Sequence, residues 1–282
     1  MKHAYLILAH YDITLLQMLV DSLDDIRNDI YVHWDTKSGP IPLLRVQFSK
    51  LFFLEDRVEV NWAGYSMVEA EYHLFKKAFA NGPYQYYHLL SGADLPIKPQ
   101  DYIHEECKRM AGTEFIAFAN PPQSEIDYRV QHYFLFPEEF RTAGTIKKVI
   151  RKLYLKYQDL THKKRTEVTV RKGSQWCSVT HLFVEYLLEK ESFVKETFSN
   201  TFCPDEMFIQ TVCANSPFMK NVKEASTEFE GNMRFIKWVN GELLPIEIAD
   251  IPDIKASDRW FARKFSSADK ELIEQIAQLC ND

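Results

Sequence analysis

Residues 4–9 (Ala-Tyr-Leu-Ile-Leu-Ala) form an unbroken apolar run of strand length, and apolar residues at 15, 16, 19, 20 and 23 then recur at helical spacing. This pattern predicts a buried strand, a turn at His10-Tyr11-Asp12, and a helix from Ile13 capped by Asp12. A second strand is expected over 29–33, running into His33-Trp34-Asp35-Thr36-Lys37, and a third over 51–54. Ser66 precedes an amphipathic pattern to about Phe79, with Glu69 at the capping-box position. Further strands are expected at 86–90, which stops at Ser-Gly-Ala-Asp-Leu-Pro (91–96), and at 115–118, with a helix over 100–110 between them. Strands and helices in this order predict an α/β fold with a mostly parallel central sheet covered by helices.

The second half is less regular. Helices are expected over 145–158, 181–189 and 269–279, and strands over 175–180 and 235–238. Pro204 opens a further helix, with Asp205 and Glu206 in its first turn, where acids suit the helix dipole. Asn240-Gly241 is a hairpin turn signal. No repeat, low-complexity tract or linker interrupts the 282 residues, so a single domain over 1–282 is expected.

Hydrophobic and charged contents of 46% and 26% are those of an ordinary globular chain. A net charge of −6 argues against bulk attraction to nucleic acid. The stretch 147–172 is the exception, dense in Lys and Arg with only Asp159 and Glu167 as acids. It is read either as a solvated helix face or as a surface meeting anionic lipid or a lipid-linked phosphate. Five cysteines without Cys-x-x-Cys spacing suggest reduced thiols. The apolar run at 4–9 is too short to span a bilayer, and a cytoplasmic location, free or at the inner membrane face, is expected.

Ligands of open α/β sheets bind at the carboxyl ends of the strands. Ala9 and His10, Asp35 and Asp94 stand at three such ends, Asp35 suited to a uracil N–H or ribose hydroxyl and Asp94 to sugar hydroxyls. Helix capping or turn bonding is the better explanation of each acid taken alone, and three arranged along one sheet edge reverse that preference. A metal site drawn from His3, His10, His33, His88, Asp35 and Asp94 is the competing reading, but no metal-binding spacing and no Asp-x-Asp occurs. Neither a P-loop nor Gly-x-Gly-x-x-Gly is present, so side chains must hold any phosphate, with Arg259, Arg263 and Lys264 as candidates. Glu206 is the candidate general base, against a plain role in complementing the helix dipole. Trp62, Trp176 and Trp238 are candidates to stack on sugar or base rings, with core packing as the default.

Taken together, several segments resemble the core-2/I-branching glycosyltransferases, the β-1,6-N-acetylglucosaminyltransferase and peptide-O-xylosyltransferase group. They are 4–10, 33–37, 62–68 (Trp-Ala-Gly-Tyr-Ser-Met-Val), 89–98 (Leu-Leu-Ser-Gly-Ala-Asp-Leu-Pro-Ile-Lys), 172–176, 204–208, 234–238 and 261–265. The resemblance implies a GT-A-like fold with a Rossmann-like nucleotide-binding N-terminal half, a UDP-sugar donor, inversion at the anomeric carbon and no metal or other cofactor. It implies Glu206 as catalytic base, Asp35 and Trp62 on the nucleoside, Lys264 on the diphosphate and Trp238 stacked on the acceptor. Arg129, Trp176 and Asp205 fall on the acceptor side. Ala9, His10, Asp94, Arg259 and Arg263 fall on the donor side, with Arg259 or Lys255 in place of a family Arg that has no clear match. The membrane anchor and disulfide-rich domain of the animal enzymes have no counterpart here, which resembles a bacterial, cytosolic relative.

The expectation is therefore an inverting, metal-independent glycosyltransferase that moves a sugar, N-acetylglucosamine by preference, from UDP to a glycan or lipid-linked glycan, in bacterial surface polysaccharide synthesis. Residues 1–120 form its nucleotide-sugar-binding half and 121–282 its acceptor and catalytic half. The alternatives are a catalytically silent glycan- or nucleotide-binding protein on the same fold and a metal-dependent hydrolase.

Overall fold

The computed structural model describes residues 1–161, 165–227, 229–239 and 242–280. In chain order the first half runs β1 (His3–Ala9), α1 (Ile13–Leu23), β2 (Asn28–Trp34), β3 (Lys50–Phe53), α2 (Ser66–Asn81), β4 (Tyr86–Ser91), β5 (Asp94–Pro96), α3 (Gln100–Arg109) and β6 (Phe118–Ala119). The second half runs α4 (Gln123–Val130), α5 (Thr145–Thr161), β7 (Lys172–Gly173), β8 (Ser178–Thr180), α6 (His181–Glu189), α7 (Glu191–Phe198) and α8 (Phe208–Ala214). It ends with β9 (Arg234–Ile236), β10 (Trp238–Val239), β11 (Glu242–Leu243), α9 (Ile251–Ala256), β12 (Phe261–Arg263) and α10 (Lys270–Leu279).

The central sheet has the order β3-β2-β1-β4-β8. β1 pairs in parallel with β2 and β4, β2 pairs in parallel with β3, and only β8 is antiparallel. Every residue of β1 is buried, as strands covered on both faces require. Its alternate side chains feed two cores. Ala4, Leu6 and Leu8 pack with α2, α6, α7 and α8, while Tyr5, Ile7 and Ala9 pack with α1, α3, α9 and α10. The mostly parallel α/β sheet expected from the sequence is thus present.

Its topology has one consequence for function. α1 joins β1 to β2 on one face; α2 joins β3 to β4 on the other, so the chain reverses direction between β1 and β4. The crevice outside the carboxyl ends of β1 and β4 is the switch point where such sheets take ligands. A second sheet, β5-β12-β9, lies beside it and carries the late segment 261–265 to the same edge, since Phe265 N–H donates to the Ala93 carbonyl (3.0 Å).

Several local expectations are corrected. Ser66 is the first residue of α2 rather than its cap, and no capping box forms there. Instead, Glu138 comes from far along the chain to accept from Ser66 N–H (3.2 Å) and Oγ–H (2.5 Å), placing a carboxylate at the helix N-terminus. Residues 115–118 give only the short β6 plus an isolated bridge from Phe115 to Ser178, and 204–206 is a 3-10 turn preceding α8. The strand expected over 235–238 is split into β9 and β10, and α4, α7 and α9 went unforeseen. β10 and β11 pair as the hairpin signal implies, although Asn240-Gly241 lies outside the described residues. All five cysteines are free thiols, and no helix among the described residues is long and apolar enough to cross a membrane.

Gly173 sits where β7 crosses β6, and a Cβ there would collide with the Ala117 carbonyl oxygen and lie 3.0 Å from Gln210 Cγ. Backbone cannot swing aside as a side-chain tip can. Gly173→Ala is expected to cost about 1–3 kcal/mol, the usual range for overpacking. It should appear as a fall of several degrees in calorimetric Tm, and an unchanged Tm would contradict this packing.

Candidate active site

The residues expected to do chemistry gather at two loci joined by a loop. The first lies at the carboxyl ends of β1 and β2. Ala9 ends β1, and its carbonyl accepts from Asp35 N–H (2.9 Å), which ties the two strand ends together. Asp35 is buried and uses Oδ1 to accept from Lys37 N–H (2.8 Å), while Oδ2 lies 4.0 Å from Lys37 Nζ. Its capping role is thus realised on one oxygen only. His10 is exposed, and partial desolvation lowers its pKa, with Asp35 acting to raise it and Lys264 and Lys37 to lower it further. Lys264 is also exposed, with Nζ 5.7 Å from the Tyr11 ring centroid. Asp12 caps α1 through Leu15 N–H (3.1 Å) and accepts Ser267 N–H (2.9 Å), pinning the segment after Lys264 to this edge. An imidazole and two lysines around a strand-end opening suit an anionic group such as a diphosphate.

Arg259 and Arg263 do not join them. Arg259 lies before β12 and Lys264 after it, and five residues of extended chain span roughly 16 Å. Arg259 pairs there with Glu230 and with Asp258 (3.5 Å). Arg263 is buried, its Nε 3.4 Å from Asp94 Oδ1 and its guanidinium 4.2 Å from the Trp176 ring centroid. Asp94 opens β5 rather than ending β4, is fully buried, and accepts Ser91 N–H (2.9 Å) on Oδ2. Burial raises the pKa of Asp94 and lowers that of Arg263, so desolvation outweighs their mutual attraction. Asp94 and Arg263 thus form a buried pair supporting the edge, with the half-buried Trp176 ring against the guanidinium, rather than two groups open to a ligand.

The second locus is built on the 204–206 turn. Glu206 Oε2 accepts from Arg129 Nη1 (2.7 Å) and lies 3.7 Å from Lys172 Nζ. Glu125 completes the square, with Arg129 Nη2 at 3.0 Å and Lys172 Nζ at 2.8 Å from its Oε1. Burial acts against the Arg129 charge, but Glu206 and Glu125 more than offset it and its pKa is raised. Among the described residues, no hydrogen-bond partner meets Glu206 Oε1, and the side chain is 38% exposed, so one oxygen stays open to a substrate proton. The sequence reading placed Lys172 only within a matching segment and the basic stretch, and missed Glu125: nothing local assigns them to Glu206, which they meet only through the packing of α4 and β7 beside the turn.

The loop 60–64 joins the loci. Lys37 Nζ donates to the Val60 carbonyl and to Asn61 Oδ1 (3.1 Å), and Cys203 N–H donates to the Ala63 carbonyl (3.1 Å). Between them Trp62, 46% exposed, has the Arg141 guanidinium 4.2 Å from its ring centroid and Phe202 edge-on at 5.7 Å. Trp238 is also exposed (48%), and it follows the register pair Ile236–Arg263, which places its ribbon beside Lys264. The candidate metal set is dispersed. His3 and His88 are buried in the sheet core within 4.8 Å of Cys107, His33 accepts Val58 N–H, and only His10 and Asp35 share the open edge.

Asp205 sits with its Oδ1 enclosed and unpartnered, and so does Glu71 Oε2 on α2. Burial first, then the neighbouring Glu206 charge, raises Asp205 to about 7, and burial together with Asp205 raises Glu71 well above the usual range. Asp205 therefore faces another carboxyl group rather than lying open to an acceptor. In the unfolded chain both acids release their protons near pH 4. The stability this pair contributes is therefore full below that pH, falls as the pH rises through about 7, and is lost above it. Asp205→Asn should flatten this slope and melt higher than wild type at about pH 8; an unaltered slope would show that the pair does not carry the effect. Arg263→Ala strips Asp94 of its buried partner and is expected to cost about 3–5 kcal/mol by denaturant unfolding, whereas a loss below about 1 kcal/mol would mean the pair is idle.

The profile of the Core-2/I-Branching enzyme family ("Branch") matches residues 3–267. The chain is 25% identical over 248 residues to a human protein named beta-1,3-galactosyl-O-glycosyl-glycoprotein beta-1,6-N-acetylglucosaminyltransferase, covering 83% of this chain and 54% of the relative. It is 24% identical over 247 residues to the Bos taurus protein of the same name, covering 83% of this chain and 55% of that one. The chain thus spans about half the length of the curated relatives it matches. Among solved structures, the apo crystal structure of mouse xyloside xylosyltransferase 1 aligns over 77% of this chain and 83% of that one at 11% identity, with a TM-score of 0.34. With the family profile covering nearly its whole length, the chain belongs to the Core-2/I-Branching enzyme family.

Proposed function

We propose that this protein is an inverting glycosyltransferase that moves a sugar, N-acetylglucosamine by preference, from UDP to a glycan hydroxyl without a metal ion. The observation that carries the reading is Glu206, held by two cations through one oxygen with the other open, on a turn tethered to the loop that reaches Asp35 and Lys37. The donor preference rests on the names of the two mammalian relatives.

In this mechanism the acceptor hydroxyl oxygen attacks the anomeric carbon as the bond from that carbon to the UDP oxygen breaks. The bonding electron pair leaves with the diphosphate, and the hydroxyl proton passes to Glu206. Arg129 and Lys172 hold the Glu206 carboxyl group in place before the reaction and keep it oriented during it. Lys264 and Lys37, with His10 beside them, neutralise the charge developing on the diphosphate, the task a divalent ion performs elsewhere. Asp35 Oδ2 and the Trp62 ring are left for the nucleoside. Trp238 presents an exposed ring for the acceptor.

Calorimetric titration of UDP, UDP-N-acetylglucosamine, UDP-xylose and UDP-glucose, each with and without EDTA, tests the donor. Binding of UDP species that survives EDTA is expected, and the tightest sugar names the donor to assay. Absence of UDP binding in both conditions would overturn the assignment. Glu206→Gln should bind UDP as wild type does while transfer falls by roughly 10²–10⁴-fold, the usual share of general-base catalysis; near-full turnover would remove Glu206 from the mechanism.

A further inference from the structure

Surface helices ordinarily turn apolar residues inward and charges outward. α5 does the reverse. The side chains it turns partly toward the rest of the protein are Lys147, Arg151, Tyr154 and Gln158, spaced i, i+4, i+7, i+11, with Leu155 as the single aliphatic residue among them. Lys147 Nζ donates to both oxygens of Glu139 (2.6 and 2.7 Å), and the Arg151 guanidinium lies 4.7 Å from the Phe140 ring centroid. Gln158 exchanges hydrogen bonds with the backbone of Tyr133 (2.7 and 3.0 Å). No residue of α5 is buried. The opposite face is a continuous apolar stripe: Ile146 is 77% exposed, Val149 51%, Ile150 44%, Leu153 62%, Tyr157 60% and Leu160 80%. At 1.5 Å per residue the stripe from Ile146 to Leu160 is roughly 21 Å long. Single exposed leucines are ordinary, but an unbroken row of this length marks a surface that meets something.

We propose that α5 docks on an anionic lipid surface, with its apolar stripe sunk among the headgroups and its lysines on lipid phosphates. The charge pattern selects this occupant. Lys148, Lys152 and Lys156 are exposed and run along one flank of the stripe at i, i+4, i+8. The helix carries five cations against the single carboxylate of Asp159, a net charge of +4 in a chain whose total is −6. Amphipathic helices with basic flanks lie in the interface of anionic membranes, where each cation adds to the attraction. A second copy of this chain would satisfy the stripe but would bring two +4 helices side by side. The orientation has a consequence. α5 follows the segment whose Arg141 covers Trp62, and near its C-terminal end Gln158 bonds the backbone of Tyr133, shortly beyond α4, which carries Arg129. A docked α5 therefore sets the Glu206 locus near the lipid surface, as a lipid-linked acceptor requires. That last step rests on the transferase reading; the docking does not.

The test is flotation of the full chain with vesicles of phosphatidylcholine alone or mixed with phosphatidylglycerol. The wild type is expected to float with the mixed vesicles only. The double variant Leu153→Glu, Leu160→Glu should stay behind with an unchanged circular-dichroism melt, since both positions are exposed. Each of Lys148→Gln, Lys152→Gln and Lys156→Gln should lower partitioning roughly fivefold at low salt. A wild type that ignores the mixed vesicles, that floats equally with both kinds, or whose double variant floats as well as it does overturns the proposal. Light scattering that shows a dimer dissolved by the double variant assigns the stripe to a second copy instead. UDP titration of the same samples keeps a failure of docking separate from a failure of the transferase reading.

Discussion

The placement of every candidate functional group depends on β1. It is hydrogen-bonded in parallel on both edges and buried on both faces, so its register has no freedom. A slip of one residue would send Tyr5 and Ile7 into the core built for Leu6 and Leu8, exchanging every side chain between two differently shaped interiors. The fixed register aligns Ala9 with Trp34 and Leu8 with Ser91, so three strand ends finish at the same level. Because connections leave to opposite faces on either side of the β1–β4 junction, no helix closes over that level. An opening at this edge is a product of topology before any particular side chain is considered.

What the edge holds depends on polar tethers of long sequence reach. Lys37 links the end of β2 to the 60–64 loop, and that loop receives the Cys203 N–H that anchors the turn of Glu206. Adjacent acids on this turn meet opposite surroundings. Glu206 faces Arg129 and Lys172, whereas Asp205 is enclosed beside Glu71. The first arrangement surrounds its acid with cations and the second favours a protonated acid, so two neighbouring residues of similar chemistry acquire different tasks from position alone. The buried Asp94–Arg263 pair belongs to the scaffold in the same way. Its attraction does not cover its desolvation, yet removing either partner strands a charge in the core beneath the edge.

Much of this fold was legible in the chain. The apolar run at 4–9, the helical spacing from 15 to 23 and the Asp12 cap each appear where expected, because each depends on neighbours within a few residues. The α2 terminus shows the limit: Ser66 and Glu69 have the form of a capping box, but Glu138, 72 residues on, offers a carboxylate to the same N–H and wins. Strand 115–118 dissolved into a bridge and the short β6 for a related reason: an apolar run records burial, not which partner strand is within reach.

For the site, the sequence by itself determined the inventory: the acids and histidine at strand ends, Glu206 on its turn, the aromatic residues, and the cations of 147–172. Tertiary structure decided the alliances. It joined Glu206 to Arg129 across 77 residues and added Lys172 and Glu125. It drew Arg263 and Asp94 into the interior, carried Arg259 to the far end of β12, and turned the apolar face of α5 outward. The division has one physical cause. Propensity, periodicity and capping are local free energies written in a short window of residues. Ion pairs, desolvation and exposure depend on which distant surfaces the packed cores bring together.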